Sequence, residues 1–474
     1  VGARLKQARV ILGREGVDSA LLVPAEGDLA DTDAVYPLGL QFANQFWGNE
    51  IDRRRWEVKT SEDGREVVFT LEAPGRARVI KSFRIASEST TLTTKVVFEN
   101  LSSENIVLGL DTREPALSLT WGPQVSSHDL TKGLMQQFVS QKAGKETFFS
   151  VSGLKPPQNG AAYSEKVPGA QWVAICSAYF AVGIKPDFEG ADGWIAGAPQ
   201  RFTMGLGAPR TEVAPGQKAA WDFQVYIGPT ARQALAKAWP GFGDVQRFFT
   251  AFDFMDGFAK FLLAVLNWFH NHVYANYGLA ILFLTVLVRL AVFPLTWKSM
   301  ISMKRMGQLA PELEKIKQEV GENDPQELQR RTMELYRNSG VNPLGGCLPL
   351  FLQMPVFFAL YRMLWSAFEL RRAPFLWIAD LSEQDRLFSL PFHIPLPFST
   401  QVIDSINLLP ILGAVAMLLS QKLMPVSGPA QNPQQKMMMN LMPILFSVFM
   451  YNLASGLNLY IFISTVLGIA QSMV

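Results

Sequence analysis

A single arginine stands inside a long apolar stretch of the sequence. Residues 277–295 (YGLAILFLTVLVRLAVFPL) contain Arg289 as their one charged residue. An arginine within a membrane-spanning helix costs about 2.5–3.5 kcal/mol on insertion scales, so it needs polar surroundings or a path to the membrane surface. Arg289 lies six residues before Leu295, about 9 Å along a helix that rises 1.5 Å per residue. One explanation is therefore that its side chain extends to the nearby interface.

Two further polar residues favour a different explanation, a shared polar cavity. Thr285 lies one helical turn before Arg289 on the same face, and Gln353 lies in a second apolar stretch, residues 346–368. Polar groups from two spans are better explained by one hydrated cavity than by side chains that reach the interface separately. Such a cavity would shorten the apolar path that a polar segment must cross, and its arginine would attract an acidic group.

The residue patterns of common catalytic and metal sites are missing. The first 246 residues contain one histidine, His128, and neither a GxxxxGKS/T phosphate loop nor a CxxC pair. No apolar stretch contains a histidine, which argues against an intramembrane protease. We therefore expect no enzyme activity, no cofactor and no metal site. The cysteines Cys176 and Cys347 are too few for a disulfide framework, and the topology described below places them on opposite sides of a membrane.

Charge divides the chain into two halves. There are 43 Lys and Arg residues against 41 Asp and Glu, a formal net charge of +2, which excludes a chain-wide nucleic-acid surface. From Arg247 onward, 228 positions hold 17 basic and 14 acidic residues but 15 of the 17 methionines. This distribution predicts a soluble half followed by a half that lies in lipid.

Residues 1–245 are predicted to form an antiparallel β-sandwich. Segments rich in β-branched and aromatic residues alternate with Gly- and Pro-containing turns at 62–64, 73–75 and 214–216. Many short strands with such turns are typical of a sandwich. The predicted strands are residues 66–71, 79–85, 91–98, 106–110, 172–184 and 220–227.

Residues 273–474 are predicted to form a core of five membrane spans. The apolar stretches are residues 277–295, 346–368, 405–424, 437–451 and 457–474. Orientation follows from the loops, since basic residues accumulate on the cytoplasmic side. The loop after the first span begins with Lys298, Lys304 and Arg305, whereas the 369–404 loop carries five acids against three arginines. The first of these loops is therefore cytoplasmic, and the second is outside together with residues 1–245.

Two helical segments flank this first span. Residues 246–272 are apolar and aromatic but are interrupted by Asp253, Asp256 and Lys260, which predicts an amphipathic helix on the outer membrane surface. The alternative is a linker helix buried under the sandwich. Residues 299–340 are predicted to form a cytoplasmic helical hairpin, whose second helix opens at Asp324 and Pro325, a capping residue followed by a first-turn proline. The predicted functional residues of this hairpin are Met303, Met306, Leu309 and Leu313.

The most distinctive sequence runs through the second apolar stretch. Residues 341–349 (VNPLGGCLP) and 353–361 (QMPVFFALY) resemble the signature of YidC-type membrane protein insertases. Supporting motifs occur in the expected order at 285–289 (TVLVR), 293–296 (FPLT), 369–375 (ELRRAPF), 377–382 (WIADLS), 434–437 (QQKM) and 455–457 (SGL). Residues 1–245 fit, by position and β content, the large periplasmic domain of bacterial inner-membrane members, which is similar to a galactose-mutarotase-like super-sandwich.

This resemblance implies a function. Such insertases place hydrophobic segments of newly made proteins in the membrane, alone or beside the Sec translocon, and assist their folding. The resemblance implies a five-helix core around a hydrated groove open to the cytoplasm, with one arginine, here Arg289, inside it. Its substrate-contact positions match Gln353, Met354, Pro355 and Phe357. The implied partners are nascent membrane proteins, the Sec translocon with its accessory subunits, the translating ribosome and the lipid bilayer, without direct reading of nucleic acid.

The sequence also departs from this pattern, and one other class stays open. Arg362 lies within the second span, and residues 386–400 form a Pro-rich insertion in the outer loop. We expect an uncleaved membrane anchor before Val1 in the complete protein, with a cleaved signal peptide as the alternative. A secondary transporter or channel is the alternative function, although the five spans show no internal repeat of the kind that transporters usually have.

Methionine, which is flexible and polarizable, suits a surface that binds many apolar sequences.

Overall fold

The computed structural model describes most of the chain and divides it into two compact units. The described residues are 9–11, 19–21, 37–42, 55–85, 90–109, 114–122, 137–150, 163–198, 201–249, 252–320, 324–340, 348–395, 402–423 and 433–473. The units are Val1–Thr250 and Ala251–Val474. His128, Cys347 and the motif residues 341–347 lie outside the described part.

The first unit is built from antiparallel sheets, as predicted. Its strands are β1 (Arg9–Ile11), β2 (Ser19–Leu21), β3 (Gly39–Phe42), β4 (Glu57–Thr60), β5 (Glu66–Ala73), β6 (Ala77–Ile85), β7 (Thr91–Asn100), β8 (Ile106–Leu108), β9 (Leu117–Trp121), β10 (Gln137–Lys142), β11 (Lys145–Ser150), β12 (Tyr163–Pro168), β13 (Trp172–Cys176), β14 (Phe180–Pro186), β15 (Asp192–Ala198), β16 (Arg201–Gly207), β17 (Thr211–Val213) and β18 (Lys218–Pro229). A nine-stranded sheet has the order β11-β10-β13-β14-β18-β7-β6-β5-β4, and a five-stranded sheet has the order β12-β15-β16-β9-β3. Two-stranded ribbons β1-β2 and β17-β8 complete the described part of this unit.

The two large sheets pack closely where β13 meets β15. A Cβ added at Gly193 would lie 2.5 Å from Cγ1 of Val173, so only glycine permits this approach. Helix α1 (Arg232–Ala238) and a short 3-10 helix (Phe242–Asp244) cover the other face of β13. Since β13 is buried on both faces, its sequence WVAIC is uniformly apolar rather than alternating.

One predicted strand is two strands in the structure. The segment 172–184 reverses direction after Cys176, and β13 then pairs antiparallel with β14. A Ser177 hydroxyl that accepts from the Phe180 amide at 3.1 Å closes the turn. Cys176 itself is a buried free thiol, and burial raises its pKa above the ordinary value.

The second unit is helical, which confirms the predicted combination of an antiparallel β domain and a helical core. Its helices are α2 (Asp253–His272), α3 (Tyr277–Gln308), α4 (Ala310–Val320), α5 (Pro325–Asn338), α6 (Leu348–Ser366), α7 (Leu408–Leu423), α8 (Pro433–Met450) and α9 (Ser455–Met473). A hairpin of β19 (Phe388–Pro395) and β20 (Val402–Ile406) precedes α7. Its inner contacts pair α9 with α3, α7 and α6.

Within the described part, one helix is long and apolar enough to cross a membrane by length and composition. It covers residues 277–302 with a mean hydropathy of 2.3, and two shorter apolar helices cover 408–423 and 441–450. All five predicted spans contain helix, but the number of five spans stays a prediction.

The hairpin differs from its predicted boundary. Helix α3 continues to Gln308, because residues 299–308 contain neither proline nor a helix-ending glycine pair, and the hairpin helices are therefore α4 and α5. At the start of α5 the predicted cap is present, since the Asp324 carboxylate accepts from the Glu327 amide at 3.0 Å. Across the hairpin, Arg331 pairs with Glu319 at 3.2 Å.

Candidate functional site

Arg289 docks on the last helix of the core. Its Nε donates to the Ser464 hydroxyl at 3.1 Å, and its Nη2 donates to the Ser464 carbonyl. The guanidinium is partly buried between α3 and α9. The interface explanation requires a side chain that extends freely along the helix toward the membrane surface. The bonds to Ser464 hold Arg289 against α9 instead.

A cavity of about 610 Å³ opens beside this arginine. Residues of α3, α7, α8 and α9 line it, and Arg289 is the one charged residue among the described lining. The other lining residues are Thr296, Ser299, Met300, Met417, Ser420, Gln421, Met442, Pro443, Phe446, Thr465, Gly468 and Gln471. The lining from α3 and α9 is therefore mostly polar and contains the cation, while Met417, Met442 and Phe446 add apolar surface from α7 and α8 beside Ser420 and Gln421.

Glycine at 468 leaves room for the guanidinium. A Cβ added there would lie 3.1 Å from Nη2 and 3.5 Å from Cζ of Arg289. The first distance is shorter than an ordinary van der Waals contact, so a larger residue would push the arginine away from Ser464. Helix α9 thus positions the arginine both by hydrogen bonds and by the absence of a side chain.

Gln353 belongs to the same polar line, although it does not line the cavity. Its Nε2 donates to the hydroxyl of Tyr460 at 3.1 Å. Tyr460 lies one helical turn before Ser464 on α9. The structure therefore brings the predicted Arg289 of α3 and Gln353 of α6 to the same helix, α9.

The other predicted groove residues lie elsewhere on the same helices. Thr285 is fully buried, and its hydroxyl donates to the Ile281 carbonyl of its own helix at 2.6 Å. Met354 and Pro355 are exposed on α6, while Phe357 is partly buried and stacks on Tyr361. Contact between these residues and a substrate stays a prediction.

The predicted hairpin residues are described only in part. Leu313 is buried and Leu309 partly buried. The side chains of Met303 and Met306 lie outside the described part of the structure. A functional role of these four residues stays a prediction.

Several cavity residues were not predicted from the sequence. The most informative pair is Gln471 and Thr296, whose side chains hydrogen bond at 2.7 Å. On α9, Ser464, Gly468 and Gln471 follow one another at steps of four and three residues, the spacing of one helix face. That spacing was the available signal for a polar face on this helix.

Comparison with known proteins covers both units. Residues 27–268 match the family described as YidC periplasmic domain, and residues 268–474 match the family described as 60Kd inner membrane protein. The membrane protein insertase YidC of Syntrophobacter fumaroxidans is 33% identical over 423 residues, which are 86% of this chain and 70% of that protein. The protein of the same description from Anaeromyxobacter sp. strain Fw109-5 is 34% identical over 436 residues, 90% of this chain and 71% of that protein.

Solved structures were matched as well. The structure of an active YidC insertase with its first transmembrane domain resolved aligns with 98% of this chain and 87% of its own, at 20% identity and a TM-score of 0.39. A putative aldose 1-epimerase from Escherichia coli K12 aligns with 47% of this chain and 79% of its own, at 12% identity and a TM-score of 0.28.

The family matches and the two relatives identify the chain. It belongs to the YidC family of membrane protein insertases. It is thus an inner-membrane protein with a periplasmic β domain, and its family is one of insertases rather than a class of enzymes.

Proposed function

We propose that this chain inserts segments of newly made membrane proteins into the inner membrane through the cavity beside Arg289. Residues 1–245 lie in the periplasm, and the C-terminal half of α3 faces the cytoplasm. The cavity extends along α3 from Arg289 to Met300, so it lies in the cytoplasmic leaflet. The chain works alone or beside the Sec translocon and its accessory subunits, and it receives substrates from the translating ribosome.

One observation carries this proposal, the single cation in a cavity that is otherwise uncharged in its described lining. A polar or acidic flank of a substrate gains attraction and hydrogen bonds there, which offsets part of the cost of leaving water. The apolar part of the substrate meets Met417, Met442 and Phe446, which line the cavity from α7 and α8. Since methionine adapts its shape, this side of the cavity accepts many apolar sequences.

The cavity can be tested with thiol chemistry. In a background with Cys176 and Cys347 replaced, a cysteine at Thr296 should react with a membrane-impermeant reagent from the cytoplasmic side. Leu290 supplies the matched control, because it lies next to Arg289 but is 64% exposed on the outer surface of the helix and does not line the cavity. Equal reactivity at both positions, or protection of residue 296 from both sides, would exclude a hydrated cavity.

The role of the charge can be tested by insertion. Purified chain in liposomes should insert a short single-span substrate well above empty liposomes. Arg289→Leu should lose most of this insertion, whereas Arg289→Lys should retain more, because long-range attraction needs the charge more than the planar fork. Insertion at the level of empty liposomes, together with solute flux, would favour the transporter or channel instead.

A further inference from the structure

The outer loop between α6 and α7 exposes large apolar side chains at two places. The first is a tight turn in which Phe375 and Ile378 exchange two backbone hydrogen bonds of 2.9 Å. Leu376 and Trp377 occupy its tip with exposures of 75% and 37%. The second is the β19-β20 hairpin, where Phe388 and Phe392 are 63% and 54% exposed. We call Leu376, Trp377, Phe388 and Phe392 the outer rim.

The turn holds its leucine in a strained conformation. Leu376 has a φ of 52°, a region that costs a non-glycine residue about 1–2 kcal/mol. Glycine is the usual residue at the first central position of a two-residue turn with positive φ there. Strain kept at an exposed apolar residue points to a function of the side chain rather than of the backbone.

The turn is fixed to the first residues of α3. Asn276 donates to the Pro374 carbonyl at 3.2 Å. A Cβ added at Gly278 would lie 2.1 Å from Cγ of Phe375, so the ring occupies space that only glycine leaves. The tip therefore stays level with the start of α3, which is its outer end in the proposed orientation.

The segment that leads into the β19-β20 hairpin is fixed at the same level. The Asp385 carboxylate accepts from the Leu409 amide at 2.6 Å, at the start of α7. The Ser455 and Gly456 amides at the start of α9 donate to loop carbonyls at 2.6 and 2.8 Å. Three helix starts thus hold one loop, on whose surface Leu376, Phe388 and Phe392 stay exposed. Trp377 is more deeply set, and its side chain hydrogen bonds to the Asp385 carboxylate.

The sequence of the β19-β20 hairpin carries no charged side chain beyond its base. Residues 387–403 contain no Asp, Glu, Lys or Arg. At the base, Arg386 and Asp404 pair at 3.0 Å. An aqueous loop next to a membrane usually carries charges, whereas uncharged segments rich in phenylalanine and tryptophan are typical of the membrane interface.

Helix α7 is shorter than the hydrocarbon core of a membrane. Helix α7 has 16 residues, about 24 Å at 1.5 Å per residue, against a hydrocarbon core of about 30 Å. An apolar surface next to its start would cover the part of the outer leaflet that this helix does not reach.

We propose that the outer rim dips into the outer leaflet of the membrane and contacts lipid directly. This contact goes beyond the insertion proposed above but rests on the same orientation of the chain. It sets the depth of the helical core from the periplasmic side.

Depth-dependent quenching tests the proposal on the full chain in liposomes. In the cysteine-replaced background, a fluorescent thiol label at Leu376→Cys or Phe392→Cys should lose emission to nitroxide-bearing lipids and be protected from aqueous iodide. A label at Glu62→Cys, in an exposed turn of the first unit, is the control and should show the opposite. Quenching of the rim labels by iodide but not by nitroxide lipids would overturn the proposal.

Two other outcomes are distinct. Protection of the rim labels from both quenchers, increasing with the protein-to-lipid ratio, would mean that a second copy of the chain covers the rim, and would also overturn it. Iodide added only outside the vesicles reports orientation separately. If this iodide reaches Glu62→Cys but nitroxide lipids of the opposite leaflet quench the rim, the proposed orientation fails and with it the outer-leaflet contact, while insertion activity can still be measured.

Discussion

Replacing Gly468 with alanine should displace the arginine that lines the cavity. The new Cβ would lie 3.1 Å from Nη2 of Arg289, so the guanidinium must shift by a few tenths of an ångström. The shift lengthens its hydrogen bonds to the Ser464 hydroxyl and carbonyl, of which the first measures 3.1 Å. Because alanine is favoured over glycine within helices by about 1 kcal/mol, a lower stability of α9 is not expected.

The magnitude follows from the bonds at risk. A hydrogen bond to a charged group contributes about 1.5–3 kcal/mol. Since about 1.4 kcal/mol corresponds to a tenfold change in an equilibrium, full loss of one such bond would lower the docked fraction of Arg289 by at least about tenfold. Alanine should weaken the bonds only in part and lower insertion severalfold. Gly468→Leu, whose side chain needs the space of the guanidinium, should approach the activity of Arg289→Leu.

The measurement is insertion of a single-span substrate by purified variants in liposomes. Gly413→Ala is the matched control, because it also changes a glycine of a core helix but no atom lies within 4 Å of the added Cβ. The decisive comparison is a double-mutant cycle with Arg289→Lys. Lysine lacks the planar guanidinium that the added Cβ would approach, so Gly468→Ala should lower insertion little in the Arg289→Lys background.

Two results would contradict this reasoning. Equal losses for Gly468→Ala in the Arg289 and Lys backgrounds would show that the glycine acts independently of the arginine. Equal losses for Gly413→Ala and Gly468→Ala would show a general sensitivity of the helices to added methyl groups.

Three other changes have definite expected outcomes. Burial raises the pKa of Glu369, so the folded core keeps this proton up to a higher pH than the unfolded chain, and stability falls as pH rises through the pKa of the folded state. Glu369→Gln should therefore raise the thermal unfolding temperature in detergent at pH 7. Below the pKa of the unfolded state, about 4.3, the variant and the original chain should unfold at the same temperature. Asp324→Ala should destabilise α5 by about 1 kcal/mol, seen as faster amide exchange confined to the hairpin. Deleting residues 310–338 should lower insertion but leave the core folded, and full insertion by this variant would exclude a functional hairpin.

The sequence predicts the elements of the first unit better than their turns. Strands flanked by glycine turns, such as β5 and β6, are placed within a few residues, and Gly75 between them has the left-handed φ of 69° that such a turn needs. The turn between β13 and β14 has neither glycine nor proline. Its signal is one serine hydroxyl that replaces a backbone partner, which local composition does not reveal.

The candidate site was predictable where a residue differs in polarity from its neighbours in the sequence. Arg289 and Gln353 stand out because their neighbours are apolar. Ser464 and Gly468 do not, since small residues are common in helices that pack within membranes. The space left by Gly468 becomes meaningful only when α3 and α9 are known to be neighbours, and this pairing is a tertiary fact.

The contacts between α3 and α9 repeat with a constant offset, and this repetition explains which wall of the cavity is rigid. Arg289 bonds to Ser464, and Thr296 bonds to Gln471 at 2.7 Å, each pair being 175 residues apart in the sequence. Two helices that keep one offset over seven residues run parallel and in register, as in a heptad repeat. The two polar contacts are about 10.5 Å apart along both helices, so they fix the polar wall at two levels. Met417 and Met442 line the same cavity from α7 and α8, and because methionine side chains are unbranched and flexible, we expect this side of the cavity to adapt when substrates of different shape enter.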